Sequence, residues 1–397
     1  MIALSNRITQ LSESETLAMA RKSRELKAQG FDVINLSLGE PDFFTPDYVK
    51  TAAKKAIDEN FSFYTPVNGY LELRQAICKK LKRDNKLEFS PEQIVVSTGA
   101  KQALINTLLC LVNPGEEVII AAPYWVSYRD MVKLAEGEAV YITAGIENDF
   151  KITPAQLEAA ITPKTKVFMF SSPCNPTGSV YTREELKALA DVFEKHPHVY
   201  ILSDEIYEHI NFSGSHESIA QFESVRERVI IINGVSKGFA MTGWRVGYLA
   251  AHLDIAKACT KLQGQFTSGT NSIAQRATIA AVDADPANTF EMLEKFRERR
   301  DLVLDLMKDI PGFITNKPEG AFYVFPNVKS YFGKSDGQTR VGNAAELCMY
   351  LLNKAQVALV PGDAFGDPEC IRFSYATSND LLIEAVSRLK KALAELE

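Results

Sequence analysis

The most constraining feature of this sequence is an alternation between two kinds of segment. Between residues 93 and 234, short apolar runs rich in β-branched residues are separated by longer stretches with helical spacing. Strands that alternate with helices predict an α/β fold with a mostly parallel sheet, and such sheets bind ligands beyond the carboxyl ends of their strands. From each run, one residue at or beyond its carboxyl end is therefore expected to reach a common site. These residues are Ser97, Trp125, Asn175, Asp204 and Lys237.

Lys237 has an unusual position for a lysine. It lies just beyond the apolar run 229–234, among small residues and close to Arg245. Burial and a neighbouring cation both lower the pKa of an amine, and a lysine with a lowered pKa can react with carbonyl compounds. A single lysine in a loop is more often a surface residue, so this interpretation needs support from the rest of the chain.

Two other charged residues lie in apolar surroundings. Asp204 ends the run 199–203, and Arg372 lies within the strand-like segment 371–375. A charge buried without a partner is costly. A structural salt bridge would satisfy either residue. A ligand would also satisfy them, with a cation for Asp204 and a carboxylate for the planar guanidinium of Arg372.

The turn at 98–101 opens a helix directly after the run 93–97. Free backbone N–H groups and the positive end of the helix dipole make such a turn a natural phosphate site, although many turns between strand and helix look alike. Trp125, which follows the run 117–122, suits either core packing or stacking on a flat ring.

Several segments together resemble the class I aminotransferases, which use pyridoxal phosphate. The resemblance covers nearly the whole chain, follows the family's order of motifs, and is closest to the bacterial aspartate aminotransferases. The matching segments are Gly39-Glu40-Pro41-Asp42, Tyr64-Thr65-Pro66, Pro123-Tyr124-Trp125, Asn175-Pro176-Thr177-Gly178, Asp204-Glu205-Ile206-Tyr207, and Ser236-Lys237 with Arg245.

The resemblance implies a role for each matching residue around the cofactor ring. Lys237 would bind the cofactor covalently and act as the catalytic base. Asp204 would pair with the pyridine nitrogen, and Trp125 would stack on the ring. Asn175 and Tyr207 would contact the ring's 3-oxygen.

Further roles concern the phosphate and the substrate. The cofactor phosphate would be held by the backbone or side chains of Gly99, Ala100, Lys101, Ser236 and Arg245, and by Tyr64 of a partner subunit, so the protein is expected to be a homodimer with shared sites. Arg372 would bind the substrate α-carboxylate. The other substrate contacts would be Gly39, Lys101, Trp125 and Asn175.

The resemblance also implies the architecture called fold type I. This fold has a large domain with a mostly parallel seven-stranded sheet flanked by helices, and a smaller α/β domain. We expect residues 1–45 to form an N-terminal arm and part of the small domain, residues 46–290 the large cofactor-binding domain, and residues 291–397 the small domain. The charged segment 286–309 is expected to be a bridging helix whose charges form a solvated face.

Composition argues against several other functions. A net charge of −6 gives no electrostatic reason to bind nucleic acid or an anionic membrane. The six cysteines and five histidines show no metal-ligand spacing, so no metal is expected. No apolar run approaches the ~18 residues of a membrane span, and residues 1–7 lack the apolar core of a signal peptide. The cytoplasm is the expected compartment.

The implied reaction is a ping-pong exchange in which an amino acid leaves as a 2-oxo acid and a second oxo acid, expected to be 2-oxoglutarate, receives the amino group. Lys101 matches the lysine that binds the distal carboxylate in one aspartate-using subgroup, so L-aspartate is the expected donor. Some members of that subgroup also use prephenate and carry Lys-Pro-Ser-Ala-Thr near the N-terminus. Residues 12–16 of this chain lack that lysine and proline.

Other functions remain open on the sequence. Aminotransferases for aromatic amino acids, alanine or prephenate share these motifs, and so do carbon–sulfur β-lyases. Some transcription regulators carry an aminotransferase-like domain behind a DNA-binding helix-turn-helix region. Here the Gly-Glu-Pro loop begins at residue 39, which is expected to leave no room for such a region, and no basic patch is present.

Overall fold

The computed structural model describes residues 4–397. Seven of the strands in this part of the chain form one sheet, and five short strands form two smaller sheets. The strands are β1 Ile34–Asn35, β2 Ile94–Ser97, β3 Glu117–Ala122, β4 Glu138–Thr143, β5 Thr165–Ser171, β6 Tyr200–Asp204, β7 Val229–Gly234, β8 Gly247–Ala250, β9 Tyr323–Val324, β10 Val357–Ala358, β11 Val360–Pro361 and β12 Ile371–Ser374.

Six of the helices begin at a residue whose side chain caps the first turn. At the start of α8, for example, the Thr182 side chain accepts from the backbone N–H of Glu185, and the Glu185 side chain accepts from the N–H of Thr182. The helices are α1 Asn6–Thr9, α2 Glu15–Ala28, α3 Asp47–Asp58, α4 Leu71–Asn85, α5 Ala100–Leu111, α6 Ser127–Leu134, α7 Pro154–Ala160, α8 Arg183–Lys195, α9 Glu223–Arg226, α10 Leu253–Phe266, α11 Ser272–Asp283, α12 Phe290–Met307, α13 Ala344–Lys354 and α14 Asn379–Leu393.

The large sheet has the strand order β2-β8-β7-β6-β5-β3-β4, and only β8 runs antiparallel to its neighbours. The predicted mostly parallel seven-stranded sheet is therefore confirmed. The apolar runs did not reveal β4 or β8. Strand β4 lies at the sheet edge and is only partly buried. Strand β8 follows directly after Arg245, and its first residue, Gly247, packs so close to Ala100 that a Cβ atom would overlap the Ala100 backbone.

The central strands are buried on both faces of the sheet. Ile201 and Ile231 pack into the core on one face, whereas their neighbours Leu202 and Ile230 pack into the core on the other. This double burial explains why the strands read as continuous apolar runs rather than as alternating patterns. It also leaves the carboxyl ends of the strands as the place where polar side chains can gather.

A separate core joins the two ends of the chain. Buried apolar residues of α2 and β1 pack there against residues of α12, β9, α13, β12 and α14, and Tyr207 and Phe212 reach the same core from the sheet-bearing part of the chain. Strand β1 pairs in parallel with β10. Because Arg372 lies on β12, this core carries one wall of the site described below.

The expectation that the charged segment at 286–309 forms a solvated face is wrong for two of its arginines. Arg299 and Arg300 on α12 are both buried. Their guanidinium groups are satisfied by Asp42 and by the carbonyl of Pro318, respectively. A run of charges along a helix cannot by itself distinguish residues that face water from residues whose partners come from distant segments.

Two searches bear on function. Within residues 4–397, no helix is both long and apolar enough to cross a membrane. The same residues contain no group of three or more His, Cys, Asp or Glu side chains arranged to hold a metal ion.

Candidate active site

A cavity of about 380 Å³ lies at the carboxyl ends of the central strands. Asp204 reaches it from the end of β6, and Lys237 reaches it from the turn after β7. Residues 14, 16 and 17 of the N-terminal arm line it as well, which the sequence did not indicate. Eleven of the thirteen predicted site residues line it: Gly39, Ala100, Lys101, Trp125, Asn175, Asp204, Tyr207, Ser236, Lys237, Arg245 and Arg372.

The other two predicted site residues, Gly99 and Tyr64, do not line the cavity, and neither does the expected strand-end residue Ser97. Gly99 is the N-cap of α5, just behind the cavity wall. Tyr64 is 98% exposed on the surface of its own chain. Ser97 was expected to converge with the other strand ends, and this was wrong: its hydroxyl is buried and donates to Gln263 Oε1 of α10 at 2.7 Å. On this strand the cavity is reached only by the helix start that follows, at Ala100 and Lys101.

Lys237 is partly buried, and its Nζ donates to the backbone carbonyl of Gly39. Burial lowers the pKa of this amine to about 8; the nearby Glu40 carboxylate opposes the shift, and Arg372 and Arg245 add to it. An appreciable fraction of the amine is therefore neutral near pH 7.5. A neutral amine is the form that can attack a carbonyl carbon or accept a proton.

Asp204 is a buried carboxylate without a cationic partner in ion-pair contact within the described chain. Its Oδ2 accepts from the Tyr128 hydroxyl at 2.7 Å, and its Oδ1 accepts from the Ile206 N–H at 3.3 Å. Burial raises its pKa to about 6, although the Tyr128 hydrogen bond acts in the opposite direction. The site thus holds an anion that a cationic ligand atom would stabilise.

Replacing Tyr128 with phenylalanine is expected to raise the pKa of Asp204 from about 6 by roughly one unit or more, because a hydrogen bond to a charged group contributes about 1.5–3 kcal/mol. An infrared pH titration of the buried carboxyl group in the cofactor-free protein would measure this change. Tyr181→Phe is the matched control, since Tyr181 is also a buried tyrosine but accepts from the Ile152 N–H. An unchanged Asp204 titration in Tyr128→Phe would contradict the assignment.

Arg372 is fully buried and has no carboxylate partner among residues 4–397. One Nη donates to Asn175 Oδ1 at 2.9 Å and the other to the Ser37 carbonyl at 2.6 Å, while Nε has no partner within those residues. The rings of Tyr323 and Phe365 lie 4.6 and 4.8 Å from the guanidinium carbon. Burial lowers the pKa of Arg372. A desolvated guanidinium held between rings is well suited to bind a carboxylate.

Tyr207 lies beside Lys237, whose Nζ is 5.8 Å from the tyrosine ring centre. The Tyr207 hydroxyl shares a hydrogen bond of 2.8 Å with the hydroxyl of Tyr323, and burial raises the pKa of Tyr207. Neither Tyr323 nor Tyr128 was anticipated from the sequence. Each lies in an ordinary apolar segment, and only the packing of distant elements directs its hydroxyl into the site.

The start of α5 is arranged as an anion site. Gly99 has a φ of 82°, and a Cβ atom there would overlap the guanidinium of Arg245, so only glycine lets the arginine lie against the helix start. Ser236 is buried at the same cavity. A positive helix end, a guanidinium and a hydroxyl together form the donor set that binds a phosphate group.

Lys101 provides a second cation at the cavity wall. Its Nζ lies 4.8 Å from the centre of the Trp125 ring, and it forms no ion pair with a described residue. Partial desolvation and the nearby Arg245 lower its pKa. Trp125 in turn packs edge-on against Tyr128, with ring centres 5.7 Å apart. Besides Lys237 and Arg245, the cavity thus holds two further cations without carboxylate partners among the described residues, Lys101 and Arg372.

The residues present fit pyridoxal phosphate. The unpaired buried carboxylate of Asp204 suits the protonated ring nitrogen, the glycine-lined cradle at the start of α5 suits the phosphate, and the buried amine of Lys237 suits the aldehyde.

The fold and this cavity define an enzyme of fold type I that uses pyridoxal phosphate. The model of the family described as aminotransferase class I and II matches residues 32–389. The chain belongs to this family.

Curated relatives and solved structures match over the full length. An aspartate aminotransferase of Bacillus subtilis (strain 168) is 48% identical over 390 residues, which cover 98% of each chain. An aspartate/prephenate aminotransferase of Cereibacter sphaeroides is 47% identical over 399 residues, covering 100% of both chains. The crystal structure of the aspartate aminotransferase from Rhizobium meliloti superposes with a TM-score of 0.97 at 40% identity and covers 100% of both chains.

Proposed function

We propose that this protein is an aspartate aminotransferase, which transfers the amino group of L-aspartate to 2-oxoglutarate and yields oxaloacetate and L-glutamate. The observation that carries the proposal is the pair of cations in one cavity without carboxylate partners in the described chain, Arg372 and Lys101. A substrate with two carboxylates can satisfy both. The names of the full-length relatives agree with this choice.

The predicted site residues have separate proposed roles in holding the cofactor. Ser236, Arg245 and the backbone of Gly99, Ala100 and Lys101 bind the phosphate. Asp204, oriented by Tyr128, would hold a proton on the ring nitrogen. Trp125 would stack on the ring, and Asn175 and Tyr207 would donate to the ring oxygen. When bound, the cofactor supplies an electron sink that makes the substrate α-hydrogen acidic.

Lys237 has the central chemical role. Its amine would hold the cofactor covalently and, once free, would accept and return the substrate α-proton at Nζ. The lowered pKa of about 8 keeps enough of this amine neutral for proton transfer near neutral pH. Arg372 and the Gly39 backbone orient the α-carboxylate, so that the hydrogen to be removed faces Nζ.

We also propose that the active protein is a homodimer. Tyr64 and Phe63 are 98% and 81% exposed, and neither lines the cavity of its own chain. A second copy would cover these aromatic side chains, and Tyr64 would reach the cofactor phosphate of that copy. The division into an arm at 1–45, a large domain at 46–290 and a small domain at 291–397 is likewise a proposal; the core that joins the two ends of the chain supports it. A cytoplasmic location stays a prediction.

Replacing Lys101 with alanine is expected to lower kcat/KM for aspartate about 10- to 100-fold and to change kcat/KM for alanine less than threefold. The reason is that a charge-assisted contact with the distal carboxylate contributes about 1.5–3 kcal/mol, and alanine has no such carboxylate. Half-reaction rates with both amino acids measure the effect, and Lys101→Arg, which keeps the charge, is the control. An unchanged aspartate-to-alanine ratio would refute the role of Lys101.

The same assay separates the remaining alternatives. The relative from Cereibacter sphaeroides is named for prephenate as well as aspartate, and the arm that differs from the prephenate-associated pattern lines the cavity through Ser14 and Thr16. Prephenate, aromatic amino acids and alanine therefore belong in the substrate panel. Release of pyruvate, ammonia and homocysteine from cystathionine would instead indicate a carbon–sulfur β-lyase.

A further inference from the structure

The loop at 37–45 lines the cavity through residues 37–40 and is fixed near both ends. At its start, the Ser37 carbonyl accepts from Arg372 Nη2 at 2.6 Å. At its end, Thr45 Oγ1 donates to the Ala240 carbonyl at 2.8 Å and accepts from Trp244 Nε1 at 3.1 Å. The loop therefore joins the wall that carries Arg372 to the segment that carries Lys237.

The middle of this loop touches the reactive lysine. The Gly39 carbonyl accepts from Lys237 Nζ, and the Glu40 carboxylate accepts from the Thr242 hydroxyl. Gly39 packs so closely against the Tyr323 hydroxyl that a Cβ atom would overlap it. A small displacement of the loop would consequently alter both the surroundings of Lys237 and the shape of the cavity.

Asp42 connects this loop to α12. Its two carboxylate oxygens accept from the two Nη atoms of Arg299 at 2.6 and 2.9 Å, which is the bidentate geometry that only arginine provides. The Arg299 guanidinium also lies 5.1 Å from the centre of the Phe43 ring and 5.7 Å from that of Phe296, and these rings pack edge-to-face. Arg299 is buried.

We propose that Arg299 is a positioning residue for the transamination site: through Asp42 it fixes the loop at 37–45, so that Gly39 and Glu40 stay in place against Lys237 and the substrate. Two arginines then hold the loop, Arg372 at Ser37 and Arg299 at Asp42. They lie on β12 and α12, two elements of the core formed by the ends of the chain. The role in substrate binding rests on the proposed function. The contact with Lys237 does not.

The first test compares Arg299→Lys, Asp42→Asn and the double variant in the holoenzyme. We expect each single variant to raise KM for aspartate and the dissociation constant of succinate about tenfold, with a smaller fall in kcat, because a loosened loop misplaces binding groups rather than the lysine itself. The double variant is expected to be no worse than either single variant, since both remove the same contact.

The second test uses the cofactor-free protein and does not depend on the substrate. The Gly39 carbonyl and the Glu40 carboxylate both contact or face Lys237, and the loop also shields its amine from water, so loosening the loop is expected to shift the lysine pKa away from about 8. The pH dependence of labelling with an aldehyde and borohydride measures this pKa in the wild-type protein and in the variants.

Arg300→Lys is the matched control. Arg300 is the next residue of α12 and is also buried, but it donates to the Pro318 carbonyl and pairs with Asp301 and Glu319 rather than with the loop. It is expected to lower the melting temperature without changing KM or the Lys237 pKa. If Arg299→Lys and Asp42→Asn behave in the same way, Arg299 only braces the fold and the proposal is wrong. If the wild-type protein does not transaminate aspartate, the proposed function fails, while the lysine titration still tests the positioning role.

Discussion

Lys237→Ala is expected to lower the transamination rate with aspartate by more than about 10⁴-fold. The substitution removes both the amine that binds the cofactor and the base that moves the α-proton, and general base catalysis alone contributes up to about 10⁴-fold. The cavity offers no substitute of the right geometry, because the other lysine that lines it, Lys101, lies over Trp125. Single-turnover release of oxaloacetate measures the loss.

Borohydride reduction of the holoenzyme followed by peptide mapping gives an independent readout. The wild-type protein and Lys101→Ala are expected to carry the label on Lys237, and Lys237→Ala is expected to carry none. Folding of the variant is checked by its melting temperature. Label on a different residue of the wild-type protein would overturn the assignment of Lys237, and with it the mechanism proposed above.

The same lysine gives a pH dependence with a defined sign. Burial lowers the pKa of Lys237 to about 8 from its usual value of 10.5. Labelling of Lys237 in the cofactor-free protein by an aldehyde and borohydride should therefore decrease as the pH is lowered and reach half of its maximum near pH 8. As the pH is lowered, exposed lysines should already lose half of their reactivity near pH 10.5. A half-point for Lys237 near pH 10 would show that the amine is not desolvated.

The largest effect on stability is expected from Lys80→Met, about 3–5 kcal/mol in the free energy of unfolding at pH 7. Lys80 and Glu208 form a buried ion pair beneath the site, and Asn85 bridges them, accepting from Lys80 Nζ at 2.8 Å and donating to Glu208 Oε2 at 2.9 Å. Removal of one partner leaves a charge buried without compensation, which costs far more than an exposed pair contributes. Urea unfolding provides the measurement.

The pH dependence of the same variant separates charge from packing. Lys80 holds the pKa of Glu208 well below its usual value. Without Lys80, burial should raise that pKa above its value in the unfolded chain, so the folded form binds more protons and the variant should regain stability as the pH falls from 7 to 5. Lys195→Met, which breaks the exposed pair with Glu158, is the control and should change stability by less than about 1 kcal/mol. A loss in Lys80→Met that does not vary with pH would indicate packing rather than charge.

Much of the architecture was predictable because the strands are buried on both faces. Continuous apolar runs such as 117–122 and 229–234 indicate strands that are buried on both faces, which is the environment of an interior strand. The structure places β3 and β7 inside the sheet. Edge and antiparallel strands carry a weaker pattern, which is why β4 and β8 were not identified individually. The carboxyl-end rule brought Asp204 and Lys237 to the same end of the sheet on grounds partly independent of the family resemblance.

The contacts that hold the site were not predictable in the same way. Tyr128 looks like a core tyrosine and Tyr323 like a strand residue, yet both place hydroxyl groups beside predicted site residues. Arg299 looks like one more charge on a solvated helix, yet it pairs with Asp42, a residue 257 positions away. Local composition carries no information about a partner at that separation.

The sequence by itself therefore determined the chemistry available to this protein: a phosphate-binding turn, and a lysine, a carboxylate and an arginine, Lys237, Asp204 and Arg372, in apolar surroundings where an unpaired charge is costly. Only the tertiary structure decided which of those charges the protein satisfies internally and which it leaves for a ligand. The guanidinium of Arg299 donates to the carboxylate of Asp42, whereas that of Arg372 donates only to neutral oxygens. The physical reason is that apolar neighbours in the chain can indicate burial, as they do for Arg372, whereas the partner of a buried charge, and for Arg299 the burial itself, depends on which distant segments the fold brings together.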